Sequence, residues 1–510
     1  MASSSNSPNS REPAADEPAS REEFFSSAAP RRRFLRRAAL IAGGSLAAWL
    51  AGCQPPGSSP SSTTGSRPPG PLTRRDRQIA DTTSTQPTEP AEPPAPPPQR
   101  PEPPTTEPTL RVRIDRLRPD GRRFQSGGET VNVSAEHGWL RCRHVDRQHR
   151  GLTLRSPVRL DFDRRGFTIT DADGYRPPVA PDQPLELASP ADHAGELMWR
   201  GRRYPGSLVL HTVNQNRRRS ADDVDDQPGV DVVNHVMLED YLPGVLAGEL
   251  YSHWAYDAFA AQAVAARTFA CYEHLDRRSS HFDVTDTVAS QVYLGGGAHR
   301  RAVEAARRTR GEVLLYDRRL VPAYYSSCCG GMPAHAVDTV SSSPVNDIRP
   351  LRGQGNCWSC SDAPVFRWQR TRSVENVRRH LARYGRDNDR DDLASIGRPQ
   401  RIEAIAHNPF GRPRRYAVHD HRSRVVELDA ESLRRALNVL DGRAVDADAR
   451  LRSSAFAVEV RGDEARFTGQ GFGHGVGLCQ YGAQGMAASG QPYSTILNWY
   501  YPRARIARVY

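Results

Sequence analysis

Apolar and polar residues alternate along much of the chain after residue 109, which is the pattern of half-buried β-strands. Alternation and β-branched content predict short strands at residues 110–114, 131–133, 152–160, 166–170, 206–212 and 230–236. Residues 255–274 instead form an Ala-rich segment with scattered bulky side chains, which predicts a helix packed closely within the core. Further helices are predicted at residues 374–384 and 430–440. The pattern therefore indicates a β-rich α+β fold with an Ala-rich core helix.

The beginning of the chain lacks this patterning. A basic run at residues 31–37 precedes a short apolar stretch and then Gly52 and Cys53, which is the layout of an export signal. The apolar stretch is too short for an ordinary membrane span. Arg-Arg-Phe-Leu at 32–35 resembles a twin-arginine signal, and Leu-Ala-Gly-Cys at 50–53 resembles a bacterial lipobox, in which Cys53 is lipidated. Residues 1–53 are therefore expected to be a leader and signal of a membrane-anchored lipoprotein of the cell envelope or periplasm.

Residues 54–108 are rich in Pro, Ser and Thr and poor in apolar side chains. Such a segment buries too little apolar surface to offset the entropy of ordering, so we expect a disordered linker. Pro-rich linkers act as semi-rigid spacers. The folded domain is then expected at 109–510, divided into a β-rich part (109–228), a core that carries the chemistry (229–340), an insert (341–455) and a Gly-rich closing segment (456–510).

Charge narrows the possible chemistry. The formal charge is +11, and all 70 of the basic residues are Arg. The absence of Lys excludes a Schiff-base or P-loop lysine in this chain. A basic balance suits nucleic acid, anionic lipid and anionic wall polymers equally well. Helix-turn-helix, zinc-finger and RNP-like motifs are absent from the sequence, so no nucleic-acid partner is expected.

Four ordered blocks of residues carry a family resemblance. They comprise residues 238–242 with Gly248, Glu249, Trp254 and 261–268, then 283–287 with 290–293, then 323–327 with 329–331, and finally 471–478 with 480–483. Together they resemble the SpoIID/LytB family of stage II sporulation protein D-like proteins, which includes lytic transglycosylases and amidase enhancers. The chain departs from the usual family pattern near Tyr251 and Ala255, where Pro is usual, at Ser326, where His is usual, and at Cys479, where Ser is usual.

The resemblance implies a peptidoglycan lytic transglycosylase with Glu249 as its one catalytic residue. Ordinary glycosidases use two carboxylates. In the implied reaction the C6 hydroxyl of N-acetylmuramic acid (MurNAc) attacks its own anomeric carbon, so one Glu serves as general acid and base. The MurNAc–GlcNAc strand then ends in 1,6-anhydro-MurNAc, and catalysis needs no cofactor. Glu239 and Asp240 are expected to fix a loop or cap the helix instead.

Polar members of the same blocks are expected to bind the glycan: Gln262, Arg267, Gln291, Ser326, Ser327, His474, Gln480 and Tyr481. Gln262 and Arg267 stand out because polar groups inside a core helix need partners; the alternative is that both face outward. Glycine recurs at every second position around His474, which is not a nucleotide-binding spacing. It indicates close backbone approach to a ligand or a strand, or else a tight structural turn with a packed His.

Cys329, Cys357 and Cys360 fall where some members of the resembled family hold zinc. Three thiolates and a fourth ligand, either Cys328 or His335, would form a closed tetrahedral structural site. Disulfides, which are natural outside the cytoplasm, are the competing interpretation, and free thiols are a third. Export of an already folded protein favours metal loading in the reducing cytosol. Cys142 and Cys271 are expected to be plain buried thiols.

Two functions therefore compete. The first is a lytic transglycosylase that acts on peptidoglycan glycan strands, either intact or free of stem peptides. The alternative is a non-catalytic glycan-binding enhancer with a cell-wall amidase as its partner. The intact block around Glu249 favours the enzyme over this alternative and over a lipid-anchored structural tether.

Overall fold

The computed structural model describes residues 99–117, 129–145, 151–163, 166–180, 183–190, 195–213 and 229–510. The leader, the lipobox with Cys53 and most of the linker lie outside these residues. Within the described part of the chain, no helix is long and apolar enough to cross a bilayer.

Residues 99–108, which were expected to belong to a disordered linker, lie ordered against the domain. Arg100 donates to the carbonyl of Tyr316 at 2.8 Å, and the backbone N–H of Glu239 donates to the Glu107 carboxylate at 3.0 Å. The backbone N–H of Leu320 also donates to the carbonyl of Pro101 at 2.9 Å. The linker boundary is therefore corrected, because this stretch satisfies polar groups that the domain offers.

Two sheets are formed by the described residues of the domain up to residue 237. Their strands are β1 (Thr109–Leu117), β2 (Glu129–Ala135), β3 (Trp139–His144), β4 (Leu152–Arg155), β5 (Val158–Asp163), β6 (Gly166–Thr170), β7 (Leu185–Ala188), β8 (Leu197–Trp199), β9 (Arg202–Tyr204), β10 (Ser207–Val213) and β11 (Gly229–Met237). The first sheet contains the order β1-β11-β10-β7-β3-β4, and the second has the order β6-β5-β2-β8-β9. The single strand predicted at 152–160 is divided into β4 and β5, because Pro157 lacks the N–H that a ladder needs.

The central part surrounds the Ala-rich helix. Its elements are α1 (Leu238–Glu249), α2 (Tyr256–Asp276), β12 (Val284–Thr285), α3 (Arg300–Arg308), β13 (Glu312–Tyr316), β14 (Arg319–Leu320), β15 (Tyr325–Ser326) and α4 (Ala336–Thr339). All residues of α2 from 258 to 273 are buried. Phe259 and Ala263 pack into the core of the first sheets, whereas Ala261 and Val264 pack into a second core. The predicted Ala-rich core helix is confirmed, and its small side chains let both cores approach.

A third core lies within the insert. Its elements are β16 (Arg367–Ser373), α5 (Val374–Asp387), α6 (Asp391–Ala394), β17 (Pro399–His407), β18 (Pro413–Asp420), β19 (Val425–Asp429), α7 (Ala430–Asn438), β20 (Val439–Leu440), β21 (Arg443–Ala444), β22 (Phe456–Arg461) and β23 (Glu464–Gln470), with short 3-10 turns at Pro344–Asn346, Arg349–Leu351 and Ala447–Ala449. The sheet β16-β23-β22 joins both ends of this part. The expected boundary at residue 455 is therefore corrected, because β22 and β23 complete the fold of the insert.

The end of the chain returns to the central part. It forms β24 (Leu478–Cys479), α8 (Gln480–Ala488), α9 (Tyr493–Tyr500) and β25 (Arg505–Arg508). β25 pairs with β13, and β24 pairs in parallel with β15, so that Tyr325 lies opposite Leu478 and Ser326 opposite Cys479. The predicted β-rich α+β fold is confirmed, and this last pairing brings two of the four sequence blocks together.

Candidate active site and thiol cluster

Three segments that are distant in sequence converge on Glu249. Glu249 is the last residue of α1 and is 8% exposed. Its Oε1 accepts hydrogen bonds from the backbone N–H of Val292 at 2.9 Å and from the Tyr325 hydroxyl at 3.5 Å. Its Oε2 accepts from the side-chain amide of Gln480 at 2.9 Å. The two bonds of 2.9 Å fix the orientation of the carboxyl group, because hydrogen bonds of this length to a carboxylate are directional. Tyr325 adds a longer contact.

The approach of Val292 to Glu249 depends on a glycine in α1. A Cβ on Gly248 would lie 2.7 Å from the carbonyl oxygen of Val292. Gly244 faces the same segment one turn earlier, where a Cβ would lie 2.2 Å from the carbonyl oxygen of Gly295. Small residues on this side of α1 therefore let the backbone at 292–295 come close enough to donate to Glu249.

Buried Gln291 and half-buried Tyr325 form a layer behind the carboxylate. Gln291 is fully buried; its Oε1 accepts from the Tyr241 hydroxyl at 3.1 Å, and its amide donates to Tyr325 Oη at 3.1 Å. Burial and the nearby Glu249 charge raise the pKa of Tyr325 well above its usual value, so Tyr325 remains a neutral donor. Gln291 is thus placed to position Tyr325, and it has no exposed atom for the sugar contact expected from sequence.

Arg267 and Gln262 are buried in α2 away from solvent. The guanidinium of Arg267 donates to both carboxylate oxygens of Glu239 at 2.8 Å and to the carbonyl of Ala306 at 3.1 Å. Burial alone would raise the pKa of Glu239, but Arg267 and the Tyr510 hydroxyl outweigh it and lower the pKa. Arg267 therefore ties α2 to Glu239 of α1 and does not line a surface groove. Gln262 is equally buried, and neither polar atom of its amide has a hydrogen-bond partner among the described residues.

Ser326 and Ser327 connect β15 to the closing segment. Ser326 is 7% exposed, and its hydroxyl accepts from the backbone N–H of Gly475 at 3.2 Å. The carbonyl of Ser327 accepts from the backbone N–H of Tyr481 at 3.0 Å. Both serines thus hold the Gly-rich loop and the start of α8 in place, next to Gln480.

His474 lies within the Gly-rich loop, half-buried. Its Nδ1 accepts from the backbone N–H of Val476 at 3.0 Å, and its ring centroid lies 6.2 Å from that of Tyr324. Gly477 follows with φ of +66°, and a Cβ there would lie 2.1 Å from the carbonyl oxygen of Tyr324. The glycine at this position therefore lets the Gly-rich loop approach the backbone of Tyr324, directly before β15.

A cluster of four buried thiols lies beside these elements. The sulfur atoms of Cys329, Cys357, Cys360 and Cys479 all lie within 4.8 Å of one another, and those of Cys329 and Cys360 are 3.7 Å apart. Tetrahedral zinc with Zn–S bonds of about 2.3 Å separates its sulfurs by about 3.8 Å. The described cysteines are free thiols rather than disulfides. The four thiols of this cluster therefore fit a metal ion.

The fourth member is Cys479, where Cys328 or His335 was expected. His335 Nε2 instead faces Asp347 at 3.3 Å. Cys328 lies next to the cluster, where it joins Cys329 and Cys357 in lowering the pKa of Cys360 through sulfur hydrogen bonds. Cys479 joins the set because β24 pairs with β15. The signal available in the sequence was a cysteine at a position where the resembled family usually has Ser.

The two remaining cysteines of the described chain lie elsewhere. Cys142 and Cys271 are buried, and burial raises the pKa of each thiol to about 12. Both therefore behave as small apolar side chains, as predicted.

The thiol cluster and Glu249 share two short connections. Cys479 directly precedes Gln480, whose amide donates to Glu249. Cys329 closely follows Tyr325, whose hydroxyl faces the same carboxylate, and the Cys329 backbone N–H donates to Cys479 Sγ at 3.3 Å. Whatever fixes the cluster also fixes two of the three donors to Glu249.

Comparison with known proteins gives two family matches. The SpoIID family, described as stage II sporulation protein, matches residues 226–316, which include Glu249 and Val292. A domain of unknown function, DUF8618, matches residues 341–477. This second match includes β22 and β23, in agreement with the sheet that closes the insert.

Individual relatives point the same way. An uncharacterized protein of Brachyspira hyodysenteriae is 32% identical over 53% of this chain and 66% of its own length. The amidase enhancer of Bacillus subtilis is 27% identical over 51% of this chain and 39% of its own length. The chain thus spans less than two thirds of either protein. Stage II sporulation protein D of Bacillus amyloliquefaciens is 26% identical over 59% of this chain and 84% of its own length. The chain therefore contains a SpoIID domain, at residues 226–316.

Proposed function

We propose that the protein acts in the bacterial cell wall as a peptidoglycan lytic transglycosylase, with Glu249 as its general acid and base. The observation that carries the proposal is the carboxyl group of Glu249, held by Val292, Tyr325 and Gln480 in a largely buried position. Glu239, another carboxylate of the same block, is bound to Arg267. The proposal therefore assigns both proton transfers to Glu249.

The reaction balances with a single proton carrier. Glu249 gives its proton to the glycosidic oxygen, and the bond from that oxygen to C1 of MurNAc breaks. The C6 hydroxyl of the same sugar forms the new bond to C1, and its proton passes to the Glu249 carboxylate. No water is consumed, and the acid returns to its starting state. A positioned carboxyl group contributes to both steps by general acid–base catalysis.

The surrounding residues orient this carboxyl group. Val292 and Tyr325 hold Oε1, and Gln480 holds Oε2, so neither oxygen rotates freely. Fixed geometry matters because small misplacement of a catalytic group costs rate. Tyr325 is itself held by Gln291.

The four-thiol cluster is proposed to hold a structural zinc ion. Cys329, Cys357, Cys360 and Cys479 would supply four thiolates, which is a closed ligand set without a position for substrate. The ion would thus stabilise the fold beside Glu249 and take no part in the reaction.

Anchoring is the remaining part of the proposal. The signal at residues 31–53 would export the protein and attach it through a lipid on Cys53, and the linker would extend the domain from the membrane towards the glycan. A mature protein without lipid mass on Cys53, measured by intact mass spectrometry, would refute the anchor.

The decisive experiment compares the native protein with Glu249→Gln on purified wall glycan, both intact and stripped of stem peptides. Mass spectrometry of the products is expected to find 1,6-anhydro-MurNAc ends from the native protein and none from the variant. Asp240→Asn, in the same helix, is a matched control that should still cleave. Binding of both glycans without cleavage would instead support the alternative, an enhancer of a cell-wall amidase, and the amidase partner could then be sought.

A further inference from the structure

A group of aromatic rings, here called the aromatic ridge, lies beside Glu249 and consists of Tyr251, Trp254 and Tyr481. The ring centroid of Trp254 lies 5.5 Å from that of Tyr251 and 5.0 Å from that of Tyr481. Tyr251 and Tyr481 are 6.4 Å apart. Tyr251 is 38% exposed, whereas Trp254 is 3% exposed. Trp254 therefore forms the buried support, and Tyr251 presents the exposed ring.

Both ends of the aromatic ridge are connected to Glu249. Tyr251 follows Glu249 after Leu250 alone, at the end of α1. Tyr481 follows Gln480, whose amide donates to Glu249 Oε2 at 2.9 Å. The aromatic ridge is thus joined through short stretches of backbone to Glu249 and to one of its hydrogen-bond donors.

The loop that carries Tyr251 is fixed before any ligand binds. The backbone N–H of Trp254 donates to the carbonyl of Tyr251 at 3.0 Å. Arg301 donates to the carbonyls of Ser252 and Trp254, and the backbone N–H of Ala255 donates to Gln484 Oε1 at 2.8 Å. A ligand that stacks on Tyr251 does not have to order the loop, so the entropy cost of ordering is not subtracted from the binding free energy.

We infer that the aromatic ridge binds a hexosamine ring of the glycan strand next to the scissile bond, with Tyr251 as the residue that stacks on the sugar. The inference rests on the proposed function. A pyranose presents C–H groups on its flat face, and their partial positive charge suits the negative face of an aromatic ring. Its hydroxyl and acetamido groups meanwhile remain at the edge of the stack, in contact with water or with polar side chains.

In the proposed reaction Tyr251 transfers no proton, and its exposed side chain contributes contact area beside the reacting carboxyl group. Tyr251 is thus a specificity-determining residue for the sugar beside Glu249 and not a second catalytic group.

The test measures binding separately from cleavage. Glycan strands stripped of stem peptides are titrated by calorimetry into protein that carries Glu249→Gln, so that the strands stay intact. Adding Tyr251→Ala is expected to raise Kd about 3- to 10-fold, the loss that corresponds to one aromatic contact. Tyr251→Phe keeps the ring and should keep Kd. Tyr175→Ala removes another exposed tyrosine, 50% exposed and distant in sequence from the ridge, and should leave Kd unchanged.

The outcomes separate this inference from the proposed function. An unchanged Kd for Tyr251→Ala would overturn the stacking role, even if the native protein cleaves glycan. Equal losses for Tyr251→Ala and Tyr251→Phe would overturn it too, because the hydroxyl and not the ring would then carry the contact. A Tyr251-dependent Kd in a protein that never cleaves would keep the aromatic ridge and refute the transglycosylase. Thermal unfolding of each variant verifies that its fold is intact.

Discussion

Replacing Arg267 by Leu tests whether this arginine is a structural tie or a substrate ligand. Its side chain has no exposed surface, and its partner Glu239 is 8% exposed. Besides its two bonds to Glu239, the guanidinium contacts the Thr309 hydroxyl and the Glu312 carbonyl, each at 3.3 Å. Removing it leaves an uncompensated buried carboxylate and unpaired polar groups. No comparable loss follows from removing an exposed arginine.

The magnitude follows from this burial. Breaking a buried ion pair by removing one partner costs about 3–5 kcal/mol, while replacing both partners by apolar residues is often close to neutral. Arg267→Leu is therefore expected to lower the free energy of unfolding by about 3–5 kcal/mol, a large part of the 5–15 kcal/mol typical of proteins. Adding Glu239→Leu should recover part of the loss. Arg461→Leu breaks an exposed pair with Glu459 and should cost at most about 1 kcal/mol.

Urea unfolding followed by circular dichroism measures all four proteins, since urea does not screen charges. The reasoning is refuted if Arg267→Leu unfolds within about 1 kcal/mol of the native protein. It is also refuted if the double variant is less stable than Arg267→Leu. Full stability with loss of glycan binding would return Arg267 to the substrate-binding role that the sequence suggested.

Three further predictions concern the site and its surroundings. Gln480→Leu removes a hydrogen bond to the Glu249 carboxyl group worth about 0.5–1.5 kcal/mol, so single-turnover glycan cleavage should fall about 2- to 10-fold. Tyr325→Phe removes a longer bond and should cost less; equal losses would contradict this order. Cys479→Ser should abolish bound zinc in elemental analysis and lower the unfolding temperature, and a chelator should have the same effect on the native protein. Cys271→Ser is the control and should keep the metal; zinc retained by Cys479→Ser would exclude Cys479 as a ligand. Burial would raise the pKa of Asp283, but hydrogen bonds from His274 and Arg111 outweigh burial and lower the pKa. The ionised Asp283 therefore stabilises the fold above its unfolded pKa of about 3.9, and this stabilisation is lost as pH falls through the lower folded pKa. Asp283→Asn should be less stable than the native protein at pH 7 and equally stable in acid, and a stability difference independent of pH would refute this.

Much of the candidate site was readable from sequence because its blocks are local. The family resemblance makes Glu249 a candidate from one block and Gln480 a candidate from another, and the structure brings the two side chains into contact. The sequence did not reveal that Tyr325 and the backbone of Val292 complete the set of donors. A backbone donor leaves no mark on residue type, and Tyr325 was noticed only as part of a block.

The assignment of polar residues to a groove was less successful. Arg267, Gln291 and Gln262 were expected to contact the glycan, yet all three are fully buried. A periodic pattern indicates that a polar residue lies on a core helix but not which partner meets it. For Arg267 that partner is Glu239, from the preceding helix.

The sequence by itself determined the local elements, the Ala-rich α2 and the block around Glu249, because helix propensity, strand alternation and motif spacing depend on neighbouring residues. The tertiary structure alone decided that Cys479 completes the thiol cluster, that β23 closes the insert on β16, and that residues 99–108 belong to the domain. Each of these depends on pairing between segments far apart in the chain. Such pairing is set by the packing of the whole fold. The local sequence pattern of a segment is compatible with several partner segments, and only the folded backbone brings one of them into contact.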